Sequence, residues 1–139
     1  MRKPLAPPSG TAPPQRVASP GGREINLVEL GRTAARAYAD EFPDERERYG
    51  PAAAEWCRHD IQHLLNWAVL SLTHELDYER ELAWLARVLE ARDYPLPRLA
   101  RCLELLAGTV RDAFPEEPEI AARVEHAASY IASRETFLT

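Results

Sequence analysis

The sequence predicts an all-α domain: a bundle of about five helices with a central apolar helix, preceded by a disordered Pro-rich tail. Three observations carry this. From residue 26 onward apolar residues recur every three to four positions, the period of a helix face packed on a core. Prolines at 43, 51, 95, 97, 115 and 118 punctuate those periodic runs. No stretch alternates apolar and polar residues for long enough to make a convincing strand.

Residues 1–23 hold six of the twelve prolines, with Gly10, Gly21 and Gly22 between them. Such a segment buries too little apolar surface to offset its ordering entropy. It is therefore expected as a semi-extended solvated arm, with residues 24–139 forming the helical domain. Pro4–Pro7 and Pro8–Pro13 have the spacing of a polyproline ligand, but neither carries a convincing specificity residue.

The first helix is expected from Asn26 to Glu41 on the stripe Leu27, Leu30, Ala34, Ala37 and Tyr38. Asn26 serves as N-cap, with Glu29 in the third position of a capping box. Pro43 ends it, and the charged run Pro43–Gly50 reads as a loop. A second helix starts near Pro51, a favoured first helical residue, and runs to about Glu75. Its second half, from Trp67 to Leu72, is apolar nearly all round and must be covered on every side. Asp77 caps a third helix, Tyr78 to Arg92, and the short connection predicts antiparallel packing on the second. A fourth helix spans about Pro97 to Phe114 on Leu99, Leu103, Leu106, Val110 and Phe114. A fifth runs to about Ser133 on Ile120, Val124, Ala127, Ala128 and Ile131. Glu116, Glu117 and Glu119 sit at its positive end, where carboxylates are favoured.

Charge narrows the partners. Residues 1–23 carry +4, and the rest of the chain holds 13 bases against 22 acids, a charge of −9 that brings the total to −5. An acidic body lacks the dense basic face that phosphate binding needs, so nucleic acid is not expected as partner. The longest uncharged apolar run is far too short to span a bilayer, so no membrane is expected. All bases but Lys3 are Arg, which with abundant Ala and Leu points to a GC-rich bacterial source. Cys57 and Cys102 read as two buried thiols, and the Pro-rich start does not resemble a secretion signal. The expected location is the cytoplasm.

Two side-chain sets could carry chemistry. Glu55, His59 and His63 repeat at i, i+4, i+8 along the second helix, a spacing that stacks three metal ligands on one face. His74 or His126 would have to supply a fourth. The plainer reading is a solvated polar face made by Glu55, Arg58, His59, Gln62 and Asn66. Asp60 lies beside Trp56, His63 and Trp67 on the expected inward side. There it is either a partnered structural carboxylate or the polar group of a ligand site. No nucleophile elbow, P-loop or dinucleotide motif is present, and Cys57 and His59 point in different directions on a helix. The expectation is therefore no enzyme and no cofactor.

The third helix has two apolar stripes. Tyr78, Leu82, Leu85 and Leu89 form the core stripe; Trp84, Val88 and Ala91 form a second, roughly 120° away. Two separated stripes suggest either a helix wedged between neighbours or an interface with another chain, and Trp favours the interface.

Cys57-Arg58-His59-Asp60 with Leu64-Leu65, and Trp84-Leu85 through Arg92, Pro95, Leu99 and Leu103, resemble a helical domain of bacterial regulators. That domain precedes cobalamin-binding or STAS domains and overlaps the haem-free globin-like sensors of stressosome proteins. The likeness covers about Cys57 to Phe114, with Leu64 where the pattern has a His. It implies a regulatory or scaffolding module. The expected function is thus a non-enzymatic helical module acting through protein–protein contacts, with another protein or as a homodimer. The alternative is a small-ligand or metal sensor using the polar residues of the central helix.

Overall fold

The computed structural model describes residues 12–139. It is an all-α bundle of six helices with a two-stranded hairpin at its start. The helices are α1 (Leu27–Glu41), α2 (Glu45–Tyr49), α3 (Ala53–Leu72), α4 (Tyr78–Ala91), α5 (Leu96–Ala113) and α6 (Pro118–Ala132). The two expected caps are present. The Asn26 side chain accepts from the Glu29 N–H and that of Asp77 from the Arg80 N–H, satisfying donors that a helix start leaves unpaired. The expected loop at 43–50 holds the short helix α2, whose five residues are too few to show a period.

The apolar stripes meet in one core. Leu27, Leu30 and Ala34 of α1, Leu82 and Leu85 of α4, Leu99, Leu103 and Leu106 of α5, and Ile120, Val124 and Ile131 of α6 are all buried. At their centre lies α3, with Ile61, Leu64, Leu65, Ala68 and Val69 fully enclosed. α5 and α6, joined by a short turn, form the most extensive helix pair. α4 meets α6, α3 and α5, and the Tyr78 hydroxyl anchors its start by donating to the Leu64 carbonyl at 3.2 Å. Beyond α6 the chain folds back. Phe137 is buried, and Glu90 of α4 accepts from the Phe137 N–H at 2.7 Å and from the Thr136 hydroxyl at 2.5 Å. These acceptor roles hold the Glu90 carboxyl below its usual range, the Phe137 amide first.

The tail expectation is corrected over residues 12–23. Residues 16–18 and 24–26 form antiparallel strands β1 (Arg16–Ala18) and β2 (Glu24–Asn26), with Val17 opposite Ile25. Ile25 is buried and Val17 packs against the core. The turn between them needs Gly22, which has φ +85°, and brings Gly21 against Glu117. A Cβ on Gly21 would lie 2.8 Å from Glu117 Oε1, so any larger residue there would push the carboxylate out of place. Glu117 is itself buried; it accepts from the Ser19 hydroxyl at 2.7 Å and the Gly21 N–H at 2.9 Å. Arg23 reaches Glu116 at 2.5 Å and Glu117 at 3.6 Å. Gln62, expected on the solvated face of α3, is likewise buried and donates to the Pro14 carbonyl at 3.0 Å. A buried polar group must be paired, and here both partners come from the N-terminal segment. The expectations for residues 1–11, including Pro4–Pro7, lie outside the described residues.

Candidate functional site

α4 does not close fully onto α3. Between them, bounded by the end of α1, by α2 and by the start of α5, lies a cavity of about 930 Å³. The chain has three tryptophans, and Trp56, Trp67 and Trp84 all line it. Tyr38, Tyr49, Tyr94 and Phe42 add four further rings. The lining is therefore chiefly aromatic and apolar, with polar groups contributed by α2, α3 and α4.

Helical spacing builds the α3 wall. Positions 56, 59, 63 and 67 step by three or four residues, so their side chains stack along one face. Ring centroids lie 5.2 Å apart for Trp56–His59, 4.8 Å for His59–His63 and 5.7 Å for His63–Trp67, a continuous ladder of four rings. Asp60 stands beside the ladder, and its Oδ1 lies 3.1 Å from His59 Nδ1. Burial, reinforced by the nearby His59, lowers the His63 pKa below its ordinary value. Across the gap, α4 presents Trp84 and Val88.

A hydrogen-bond network holds α2 in place as the floor. Glu45 accepts from Tyr38, from Tyr94 at 3.1 Å and from Arg98 at 3.0 Å, while Arg98 also grips Asp44 at 2.9 Å. The Tyr38 and Tyr94 hydroxyls also meet each other. Burial pushes both phenols far up, and the Glu45 carboxylate adds to this, so they act as fixed hydrogen-bond groups. The Arg98 guanidinium also lies 4.5 Å from the Phe42 ring centroid. Cys57 and Cys102, 45 positions apart, meet at the inner wall. The Cys102 thiol is held well above its ordinary range, first by its hydrogen bond with Cys57 and then by burial, so it stays protonated and unreactive.

The site residues read from sequence divide in a physical way. Trp56, Asp60, His63 and Trp67 share one face, but that face lines the cavity rather than the packed core, and Asp60 keeps 22% of its side chain exposed. Its partner is His59, one residue away on the same helix, not a group on a neighbouring helix. Trp84 and Val88 join the cavity wall, with Trp84 53% exposed at the rim. Ala91 is exposed and lies outside the lining.

The metal set is not assembled. Glu55 is exposed and does not reach the cavity, His126 is paired with Glu79 at 2.8 Å, and His74 lies with His126 in a second, smaller cavity. Among the described residues no group of three His, Cys, Asp or Glu side chains is placed to hold an ion. Nor is any helix among them long and apolar enough to cross a membrane. Sequence reasoning missed α2, Tyr38, Glu45, Tyr94 and Arg98, which close the cavity from distant positions and carry no short-range motif.

Comparison with known protein families, with curated proteins and with solved structures gave no match for this chain.

Proposed function

We propose that this domain is a non-enzymatic regulatory module of the bacterial cytoplasm that binds a small organic molecule in the cavity between α3 and α4. One observation carries the reading: all three tryptophans of the chain converge on a single cavity with the His59–Asp60–His63 face. Ligand sites are concave, mostly apolar and aromatic, and oriented by a few polar groups, with volumes of roughly 300–1,000 Å³. This cavity has that composition and lies near the top of that range.

A helix-facing contact with another protein or a second copy complements this reading. The exposed Trp84 indole favours it, because the same side chain lines the cavity and faces outward. A ligand that draws Trp84 inward would change the surface α4 offers, which couples occupancy to partner choice. The resemblance to helical domains of bacterial regulators points in the same direction.

The test is a fluorescence titration with the neutral probe N-phenyl-1-naphthylamine, whose emission rises in apolar surroundings. The wild type should show saturable binding, and Val88→Glu, which places a charge in the wall, should weaken it about tenfold or more. Absence of saturable binding, or equal affinity in a folded Val88→Glu, would overturn the reading.

A further inference from the structure

The charge distribution in the cavity indicates what kind of ligand fits, given that the cavity is a ligand site as proposed above. Its inner carboxylates are Glu45 and Asp60. Glu45 is already engaged by Tyr38, Tyr94 and Arg98. Among the described residues, the hydrogen-bond partner of Asp60 is the imidazole of its neighbour His59. It is about four-fifths buried, and among the described residues no Arg or Lys forms an ion pair with it. The lining cations, Arg46, Arg80 and Arg92, are all exposed at the rim, where water screens them. Glu81, on α4, adds a further negative group to the same lining.

The surrounding rings act in the same sense. Indole and phenol faces carry negative electrostatic potential and attract cations, Trp most strongly. Trp56, Trp67, Trp84, Tyr49 and Tyr94 line the same cavity as Asp60. The stacked face Trp56–His59–His63–Trp67 is long and favours a flat body lying along it. His63 does not counter this charge, because burial favours its neutral form.

We propose that the ligand is a lipophilic organic cation: a flat conjugated body laid against the α3 ring ladder, with a protonated or quaternary nitrogen directed to Asp60 and capped from α4 by Trp84.

Three probes of similar size test this on the full chain. Proflavine is a planar three-ring cation, N-phenyl-1-naphthylamine is neutral, and 1-anilinonaphthalene-8-sulfonate is the same neutral body carrying an anionic group. Proflavine should bind about tenfold tighter than the neutral probe, and the sulfonate weakest. Asp60→Asn keeps the shape and removes the charge. It should weaken proflavine about tenfold and leave the neutral probe within about twofold. Raising the salt concentration on the wild type should weaken proflavine and spare the neutral probe, a readout that does not depend on any variant folding. Tightest binding by the sulfonate would overturn the proposal and point to the rim arginines. Equal binding of proflavine and the neutral probe, unaffected by Asp60→Asn, would overturn the cation assignment while leaving the cavity as a ligand site. Failure of all three to bind would overturn both.

Discussion

The Ser19 hydroxyl donates a 2.7 Å hydrogen bond to the Glu117 carboxylate, across 98 positions of the chain. The N-terminal hairpin is thereby pinned to the start of α6. Glu117→Ala strands the Ser19 hydroxyl and the Gly21 amide and should cost about 2 kcal/mol. Thermal unfolding should show this as a melting temperature lower by roughly 5–10 °C. Deleting residues 1–23 should lower it at least as far, because Ile25, Gln62 and Glu117 all lose their partners. An unchanged melting temperature in the deletion would mean the hairpin contributes nothing to the fold.

The Arg98 guanidinium holds α2 by contacts to Asp44 and Glu45, with side chains only 16% and 12% exposed on Arg98 and Glu45. Arg98→Met keeps much of the packing on Phe42 but leaves Glu45 without its cation. The variant should lose about 2 kcal/mol in a denaturant titration, less than the 3–5 kcal/mol typical of a fully buried pair. A loss under about 0.5 kcal/mol would show that α2 is held by packing alone.

His63 makes stability depend on pH. Its pKa in the folded protein is lowered below 6.5, chiefly by burial. The unfolded chain therefore binds the proton more readily. Stability is fully present above about pH 6.5 and falls as pH drops through the folded value. The carboxyls that the fold lowers, Glu41, Asp44 and Glu90, act in a separate window below about pH 4.5. Melting temperatures of the wild type should fall from pH 7 to 5.5, and His63→Gln should flatten that slope. An identical slope in the variant would remove His63 as its source.

Trp84 offers its indole to solvent while the rest of α4 is anchored by Tyr78, Leu82 and Leu85. Trp84→Ala should change stability by no more than about 0.5 kcal/mol. Sedimentation from about 1 to 100 μM should show whether the wild type self-associates and the variant does not. Unfolding of the variant would mean Trp84 is part of the core.

Much of the bundle was legible because its information is local. The stripes Leu27–Leu30–Ala34 and Leu99–Leu103–Leu106 repeat at the helical period, and Asn26 and Asp77 cap as their residue types predict. The hairpin was not legible. Each three-residue strand has a single inward side chain, Val17 or Ile25, which is too little to show a period. Its polar anchors, Gln62 and Glu117, look like surface residues until their partners are known. The aromatic face of α3 was legible as a face, since 56, 60, 63 and 67 share a side. What it faces was not, because α2 and α4 set the width of the gap through long-range contacts such as Arg98–Glu45 and Tyr78–Leu64. The second stripe on α4 follows the same logic: Trp84 and Val88 are apolar because they wall a cavity, while Ala91 lies beyond it.

One cavity gathers every tryptophan of the chain, and the indole N–H signals of ¹⁵N-labelled protein test most directly whether it is a ligand site. Trp56, Trp67 and Trp84 should give three indole resonances in a ¹H–¹⁵N spectrum, to be assigned by single Trp→Phe substitutions. Titration with proflavine should shift or broaden all three together, saturating at one equivalent, while amides of the hairpin and the far side of α6 stay in place. A spectrum in which no indole moves, or in which only the exposed Trp84 responds without saturating, would contradict a ligand site between α3 and α4.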